Sequence, residues 1–275
     1  MPLAHPEMKR LLRAHRAHGE LQGMTGPSAA PHLTLVVPCY NGEERLAASL
    51  ETIARFLASQ PYHSELVLVD DASGAAAAGI LDAFTARRPG VTLLRNDRNR
   101  GKGASVARGM LAGLGRYRVF TDADLAYPPS EVSKILRDLE AGADVAIACR
   151  VLPESRYEMS PSFFHYLYTR HVQSRVFNAL VRAVLLHDVL DSQAGLKGFT
   201  GAAAELVFSR LTIDGFGFDV EALFIAQKHG LTVRQSAVYF RYDDEPTTVR
   251  LVQSAITMAL DLLRVRRNDW RGRYR

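Results

Sequence analysis

The chain has 275 residues, 47% of them hydrophobic, which is enough to bury a substantial core in one large domain with a C-terminal appendage. Its net charge of +5 is compatible with nucleic acid, an anionic membrane surface or an anionic substrate as partner. No zinc-ligand spacing, aromatic-rich RNA motif or helix-turn-helix pattern accompanies the basic residues, so nucleic acid is not an expected partner.

Cysteine use and the distribution of apolar residues indicate the compartment. Cys39 and Cys149 both end apolar, strand-like runs, which predicts buried thiols in a reducing compartment rather than a disulfide. No run approaches the roughly 20 apolar residues of a membrane-spanning helix. The basic residues at 9–16 are not followed by an apolar stretch, so we expect no secretory signal and a cytoplasmic location.

Short apolar strands alternate with helices from residue 32 onwards. The predicted strands are 33–37, 66–69, 91–95, 117–121 and 145–149, and the predicted helices are 43–59, 75–88, 104–114 and 130–141. This alternation predicts an α/β fold with a mostly parallel sheet that is covered by helices on both faces.

The alternation ends after residue 150, where two longer helices with basic residues are predicted at 162–186 and 249–267. Such a helix suits a membrane interface, although an ordinary packed helix with a solvated face has the same pattern. We therefore divide the chain into a flexible extension at 1–31, one domain at 32–246, and a basic amphipathic helix at 247–275.

Polar residues follow the predicted strands, and in parallel sheets ligands bind outside the carboxyl ends of the strands. We expect these residues to converge on one crevice: Tyr40, Asp70, Asp71, Asp122, Asp124 and Arg150.

Asp122-Ala123-Asp124 places two carboxylates one residue apart at the end of a strand. Mg²⁺ and Mn²⁺ prefer oxygen ligands and accept substrate phosphates as the remaining ones. The pair therefore indicates a metal site for a nucleotide-sugar, with helix capping near Pro129 as the alternative.

Three turns carry groups suited to the rest of a nucleotide. Pro38-Cys39-Tyr40-Asn41-Gly42-Glu43-Glu44 offers a tyrosine that can stack on a base. Asp70-Asp71-Ala72-Ser73 offers a carboxylate for the imide N–H of uracil, with helix capping as its alternative. Asn99-Arg100-Gly101-Lys102-Gly103 looks like a phosphate cradle, in which glycines permit close backbone approach and Lys102 adds positive charge. It lacks the spacing of an ATPase loop, which excludes that class.

In this order the motifs resemble those of glycosyltransferase family 2, a group of enzymes with the GT-A, Rossmann-like fold. The resemblance is to the polyprenyl-phosphate sugar synthases, and within them to the dolichyl-phosphate β-glucosyltransferase branch. Later segments carry the narrower match, at 147–150, 174–178, 191–199, 217–221 and 270–274.

The resemblance implies a role for individual residues. The nucleotide-sugar would be bound by Pro38, Tyr40, Glu43, Asp70, Asp71, Lys102, Asp122, Arg150 and Gln193. Asp71, in preference to Asp70, would contact the uracil, and Asp122 and Asp124 would hold Mg²⁺ or Mn²⁺. The acceptor phosphate would be bound by Arg170, Ser174 and Arg175. The residues expected at the reacting groups are Asp124, Asp191, Arg175 and Lys197.

The implied reaction is an inverting transfer of a hexose, with glucose expected, from UDP-sugar to a polyprenyl monophosphate. The acceptor phosphate is already anionic, so it needs no strong base, and surface helices would place the enzyme on the cytoplasmic face of a membrane. Three positions depart from the family pattern. Gly42 weakens the match of the first turn, Ala126 gives the form associated with glucosyl enzymes, and Tyr127 leaves the donor sugar open.

The alternatives differ in donor, acceptor or class. The donor could be UDP-N-acetylhexosamine or GDP-mannose, or the acceptor a soluble compound or polysaccharide, whose hydroxyl would need a carboxylate base. A non-catalytic binding module would bind donor without turnover. A nucleotidyltransferase would carry a glycine-rich first turn where this chain has Pro38 and Tyr40.

Overall fold

The computed structural model describes residues 30–159, 178, 181–182, 184–242 and 251–275. Its strands are β1 Leu33–Cys39, β2 Ser64–Asp70, β3 Val91–Arg95, β4 Tyr117–Thr121, β5 Val145–Cys149, β6 Arg156–Met159, β7 Leu196–Thr200, β8 Val233–Ala237 and β9 Tyr239–Tyr242. Its helices are α1 Glu43–Ala58, α2 Ala75–Ala86, α3 Lys102–Ala112, α4 Val132–Glu140, α5 Gly201–Phe208, α6 Phe218–Lys228 and α7 Leu251–Trp270, with a 3-10 turn at Pro129–Glu131.

A seven-stranded sheet in the order β3-β2-β1-β4-β7-β5-β8 forms the centre of the domain. Its neighbouring strands are parallel except for β7, which runs antiparallel to both β4 and β5. Strands β6 and β9 form a separate parallel pair. The mostly parallel sheet predicted from the sequence is confirmed.

Helices cover both faces of this sheet. Side chains of α3, α5, α6 and α7 pack with Val36, Val67 and Phe120 on one face. Those of α1, α2 and α4 pack with Leu35, Leu68 and other apolar side chains on the opposite face. Successive strand residues point to opposite faces, so continuous apolar strands such as β1 and β2 contribute to both cores.

Strand β7 was not predicted, because its sequence, Leu-Lys-Gly-Phe-Thr, breaks the apolar pattern. Gly198 is required by packing, since a Cβ there would lie 2.5 Å from Cγ2 of Ile135. Lys197 is wholly buried, and its partner lies on a distant helix. Both features depend on tertiary contacts that local periodicity does not record.

Helix α7 begins and ends within three residues of its predicted bounds, whereas most of the predicted helix at 162–186 lies outside the described residues. Leu262, Val265 and Tyr274 are buried in the same core as α6. Cys39 and Cys149 are buried free thiols, as predicted. Within the described parts of the chain, no helix has both the length and the apolar character needed to cross a membrane.

Candidate active site

The polar turns predicted to converge do meet at one edge of the sheet. Strands β1, β2, β4 and β5 all point the same way, so the residues after them lie at the same edge. Because β7 is antiparallel, it begins at this edge, where Leu196 pairs with Thr121. The segment 191–195 therefore approaches the Asp122-Ala123-Asp124 turn, although the two are far apart in sequence.

The turns after β1 and β2 are joined by hydrogen bonds. The Asn41 side-chain oxygen accepts the Gly74 N–H at 2.9 Å, and the Asn41 N–H donates to the Ser73 hydroxyl at 3.0 Å. Asn41 has a φ of 55°, a left-handed conformation that asparagine tolerates better than most residues. This arrangement leaves Tyr40 55% exposed at the edge, and Glu43 is exposed in the first turn of α1.

Asp70, the last residue of β2, and Asp71, which follows it, make different contacts. Asp70 pairs with Arg95 at 3.0 Å and accepts the Ser73 N–H. Asp71 accepts the Asn96 amide at 2.6 Å and the N–H groups of Arg100 and Gly101 at 2.9 and 2.8 Å.

Asp71 thus holds the Asn99–Gly103 loop in place. A carboxylate has about four acceptor positions, so these three bonds leave room for another donor such as a uracil N–H. The helix-capping alternative does not apply to α2, because its N-cap is Gly74, which has no side chain, and the Gly74 N–H bonds to Asn41.

The glycines of the Asn99–Gly103 loop allow the backbone of residues 213–215 to pack closely against them. A Cβ at Gly101 would lie 2.5 Å from the Asp214 carbonyl oxygen, and one at Gly103 would lie 2.6 Å from that of Ile213. The Ala104 N–H also donates to the Asp214 carbonyl. The sequence analysis interpreted these glycines as making room for a phosphate. In the structure they instead allow α3 to pack closely against residues 213–215.

Lys102, at the start of α3, contacts Asp122, the first of the two candidate metal ligands. Its Nζ is 2.6 and 2.9 Å from the two carboxylate oxygens of Asp122. Burial alone lowers the pKa of Lys102, but the charges of Asp122 and Asp219 raise it above its ordinary value. Gly195 permits this packing, since a Cβ there would lie 2.0 Å from Oδ2 of Asp122. The lysine is thus a fixed cation beside the carboxylate pair.

The Asp122-Ala123-Asp124 turn fits a divalent metal that takes further ligands from a substrate. Asp124 is exposed, and one of its oxygens accepts the Ala126 N–H at 3.0 Å. In the described part of the chain, no group of three or more metal-ligating side chains occurs. Two carboxylates complemented by a diphosphate and water suit Mg²⁺ or Mn²⁺. The capping alternative fails, because the N-cap of the following 3-10 turn, Pro128, has no side-chain hydrogen bond.

A buried ion pair lies behind these groups. Lys197 Nζ donates to Asp219 Oδ1 at 2.5 Å and to the Ala194 carbonyl at 2.6 Å, and it lies 5.6 Å from the ring centre of Phe120. Desolvation lowers the pKa of Lys197 and raises the pKa of Asp219. Lys197 was expected at the reacting groups, yet its side chain has no exposed surface here.

Sequence reasoning did not assign Asp219 to the site. The available signal was two acidic residues, Asp219 and Glu221, in the first turn of a mostly apolar helix, since a charged side chain is rarely buried unless it is paired.

Arg150 and Asp191 form a second, bidentate ion pair. The Arg150 Nε and Nη2 lie 2.7 and 2.8 Å from the two Asp191 oxygens, and the Arg150 backbone N–H donates to Oδ2 at 3.0 Å. Burial opposes ionisation, but the guanidinium of Arg150 holds the pKa of Asp191 below its ordinary value. Asp191 therefore positions Arg150, and a carboxylate so stabilised is a weak base.

The remaining predicted residues lie elsewhere. Pro38 is the penultimate residue of β1, two positions before Tyr40, and Gln193 lies in the segment between Asp191 and β7. The expected acceptor-phosphate residues Arg170, Ser174 and Arg175 lie outside the described residues. The structure thus brings together the nucleotide-side and metal-side candidates.

The family that shares this site architecture is identified by direct comparison. The family model described as Glycosyl transferase family 2 matches residues 34–199, which span β1 to β7. The chain belongs to glycosyltransferase family 2, and it has the GT-A fold expected from the sequence.

Individual members of the family are similar to this chain over most of its length. A dolichyl-phosphate beta-glucosyltransferase of Dictyostelium discoideum is 30% identical over 86% of this chain and 74% of its own length. The Homo sapiens protein of the same name is 28% identical over 98% of this chain and 86% of its own length.

Solved structures share the fold at lower identity. Glucosyl-3-phosphoglycerate synthase from Mycobacterium tuberculosis, in complex with Mn²⁺, UDP-glucose and phosphoglyceric acid, aligns with a TM-score of 0.65 and 19% identity. The alignment covers 92% of this chain and 82% of that one. The same enzyme has also been solved with Mg²⁺ and UDP.

Proposed function

We propose that this enzyme transfers glucose, with inversion, from UDP-glucose to a polyprenyl monophosphate. The observation that carries the proposal is the cluster of Lys102, Asp122 and Asp124 at the carboxyl edge of a family 2 sheet. The name shared by relatives that match most of this chain supports both the sugar and the lipid acceptor.

The donor's nucleotide would occupy the turns after β1 and β2. Tyr40 is exposed there for stacking on a base, and the adjoining Asn41–Gly74 hydrogen bond holds its turn in place. Asp71 keeps one acceptor position for the uracil imide while it fixes the loop that carries Lys102. Pro38 and Glu43 border the same space.

The diphosphate would lie beside Lys102 and the two carboxylates of Asp122 and Asp124. Mg²⁺ or Mn²⁺ held by these carboxylates would neutralise the charge that develops on the departing UDP. Lys102 places a second positive charge beside the same oxygens. Gln193 belongs to the segment that would close over the donor sugar. Arg150 would bind the diphosphate, and Asp191 holds its guanidinium in place.

The acceptor would attack as an anion. A polyprenyl monophosphate carries its negative charge at neutral pH, so the site needs positioning groups rather than a strong base. The lowered pKa of Asp191 and its three hydrogen bonds with Arg150 agree with that requirement. We assign Arg170, Ser174 and Arg175 to the acceptor phosphate, and the enzyme to the cytoplasmic face of a membrane as a peripheral protein.

The test is sugar transfer into lipid. Purified protein with Mn²⁺, radiolabelled UDP-glucose and a detergent-dispersed polyprenyl phosphate should place label in the organic phase. Asp124→Ala should abolish that label, whereas Asp188→Asn, at an exposed position outside the site, should leave it unchanged.

Three results would contradict parts of the proposal. Label from GDP-mannose or UDP-N-acetylhexosamine, but not from UDP-glucose, would change the donor. Transfer only to a water-soluble acceptor would remove the lipid. Donor binding without transfer to any acceptor would leave a binding module.

A further inference from the structure

The outward side of α7 carries apolar side chains that the fold leaves exposed. Leu260, Leu263 and Trp270 are 59%, 65% and 87% exposed, whereas Leu262 and Val265 are buried in the core. Helix α7 is thus apolar on two sides, and only one side is needed to attach it to the domain. Clustered exposed apolar residues of this kind mark an interaction surface.

Helix geometry places the three exposed residues in one stripe with arginines around them. At about 100° per residue, Leu260, Leu263 and Trp270 fall within an arc of roughly 80°. We define the α7 outer face as this stripe together with the arginines within and beside it: Leu260, Leu263, Arg264, Arg266, Arg267 and Trp270.

The acidic residues of this stretch lie on the other side of the helix. Asp261 faces Gly217, and Asp269 pairs with Lys228. The α7 outer face is therefore purely cationic and apolar between residues 260 and 270.

Two of the arginines are held at the margins of the face. Arg264 donates to the Thr212 carbonyl oxygen at 2.8 Å, and Arg266 donates to the Val184 carbonyl oxygen. A guanidinium has five N–H donors, so each can still bind an anionic group outside the protein. Leucine and tryptophan side chains flanked by arginines complement the surface of an anionic bilayer, with the rings at headgroup depth and the guanidinium groups at the phosphates.

We propose that the α7 outer face docks this protein on the surface of an anionic lipid bilayer. The choice of a bilayer over another partner rests on the proposed function, because a polyprenyl phosphate presents its phosphate at the headgroup level. Charge complementarity supports the same choice, since each arginine near an anionic leaflet adds attraction that salt screens.

The opposite side of α7 packs against a loop next to the candidate active site. A Cβ on Gly217 would lie 2.3 Å from Oδ2 of Asp261, so the loop at 214–217 touches α7 beside Leu260. The same loop packs on Gly101 at the start of α3, and its Phe216 is exposed. Docking by α7 therefore holds the Lys102 end of the site near the lipid surface.

Trp270 allows a direct measurement, because it is the only tryptophan in the chain. The full chain is titrated with vesicles of phosphatidylcholine that contain one third phosphatidylglycerol and no polyprenyl phosphate. We expect a blue shift of the tryptophan emission together with flotation of the protein, both weakened by high salt. An unshifted emission, or equal binding to vesicles of pure phosphatidylcholine, would overturn the proposal.

Variants locate the contact on α7. Leu260→Ser with Leu263→Ser should lower vesicle binding at least tenfold while Trp270 stays available as the probe. Leu114→Ser is the matched control, since it is also an exposed leucine but precedes β4 at the opposite edge of the sheet. Unchanged thermal unfolding by circular dichroism establishes that both proteins are folded.

The outcomes separate docking from catalysis. Vesicle binding by wild type without glucose transfer leaves docking intact and removes the proposed function. Transfer to detergent-dispersed acceptor without vesicle binding does the reverse. If light scattering shows a wild-type dimer that the double serine variant converts to a monomer with vesicle binding unchanged, the face joins two copies and the proposal is wrong.

Discussion

Lys102 contacts one of the two candidate metal ligands, and its position affects how the site would bind a metal. Its ammonium lies on both oxygens of Asp122, the place where a metal bound by that carboxylate would compete with it. A positive side chain at this position keeps the carboxylates from repelling each other, and it also opposes a second cation. Metal affinity in the absence of donor should therefore be limited by Lys102.

Lys102→Met should tighten Mn²⁺ binding to the donor-free protein. Removing one competing cation is worth about 1–2 kcal/mol, a factor of roughly 5–30 in the dissociation constant. The free Mn²⁺ signal in electron paramagnetic resonance measures this directly. Lys134→Met, which removes a lysine paired with Glu131 away from the site, is the control and should change nothing. Weaker Mn²⁺ binding by Lys102→Met would show that the lysine does not compete.

Asp191 is a structural partner of Arg150, so its substitution should change the free energy of unfolding. Asp191→Asn leaves the Arg150 side chain, which is 25% exposed, without its bidentate acceptor, so we expect a loss of about 3 kcal/mol at pH 7. Urea unfolding measures it, with the exposed Asp188→Asn as the control.

The pH dependence of that loss follows from the direction of the pKa shift. The pKa of Asp191 is lower in the folded state, so its stabilisation is complete above the ordinary value of 3.8. It disappears as the pH falls below that value toward the folded-state pKa. The difference between wild type and Asp191→Asn should thus be constant from pH 5 to 8 and shrink below pH 4. An equal difference at pH 3.5 and pH 7 would contradict this account.

Strand β7 is the element that assembles the site. Inserted antiparallel between β4 and β5, it begins at the edge where its neighbours end, and it delivers the 191–195 segment to Asp122. Gly195 is the closest point of that approach. A side chain at this position would displace the Asp122 carboxylate, which we propose as a metal ligand.

Gly195→Ala should therefore reduce glucose transfer far more than it reduces stability. The added Cβ would lie 2.0 Å from Oδ2 of Asp122, and a displacement of about 1 Å at a reacting group costs roughly 100-fold in rate. Gly79→Ala is the control, because nothing lies within 4 Å of its Cβ in α2. That helix change should raise stability by up to about 1 kcal/mol and leave kcat/KM unchanged. Equal activity of the two variants would contradict the packing argument.

At the scale of the whole molecule, the C-terminus is fastened to the catalytic domain by buried polar contacts. The Tyr274 hydroxyl donates to Glu221 at 2.5 Å, and Glu221 also accepts the Ile213 N–H. Asn268 joins the cluster through the Thr212 hydroxyl. The cluster holds α7 against the loop at 213–215, which packs on Gly101 and Gly103. Helix α7 is therefore packed against the domain from which the sequence analysis separated it at residue 247.

Tyr274→Phe should weaken that attachment. A buried hydrogen bond to a charged acceptor contributes about 1.5–3 kcal/mol, so we expect a loss of about 2 kcal/mol in the free energy of unfolding. Tyr239→Phe is the matched control, since its hydroxyl bonds to Glu158 at an exposed position and should cost under about 0.5 kcal/mol. Denaturant unfolding compares the two, and equal losses would show that Tyr274 does not fasten the C-terminus.

The sequence by itself determined the local elements and the order of the site motifs. Strands from β1 to β5 and the helices between them were predicted within a few residues, because apolar runs and turn residues act over short distances. The Asp122-Ala123-Asp124 turn was placed at a strand end by the same reasoning. Parallel strands then made convergence at one edge a geometric necessity.

Only the tertiary structure decided how those motifs are used. The insertion of β7, the Lys197–Asp219 pair and the packing of Gly101 on Asp214 each join residues that are distant in sequence. The sequence predicted a basic amphipathic helix at 249–267 but did not say that Leu260 and Leu263 would stay exposed on it. These outcomes depend on which surfaces meet once the sheet has assembled, and a burial pattern read along one helix contains no record of its neighbours.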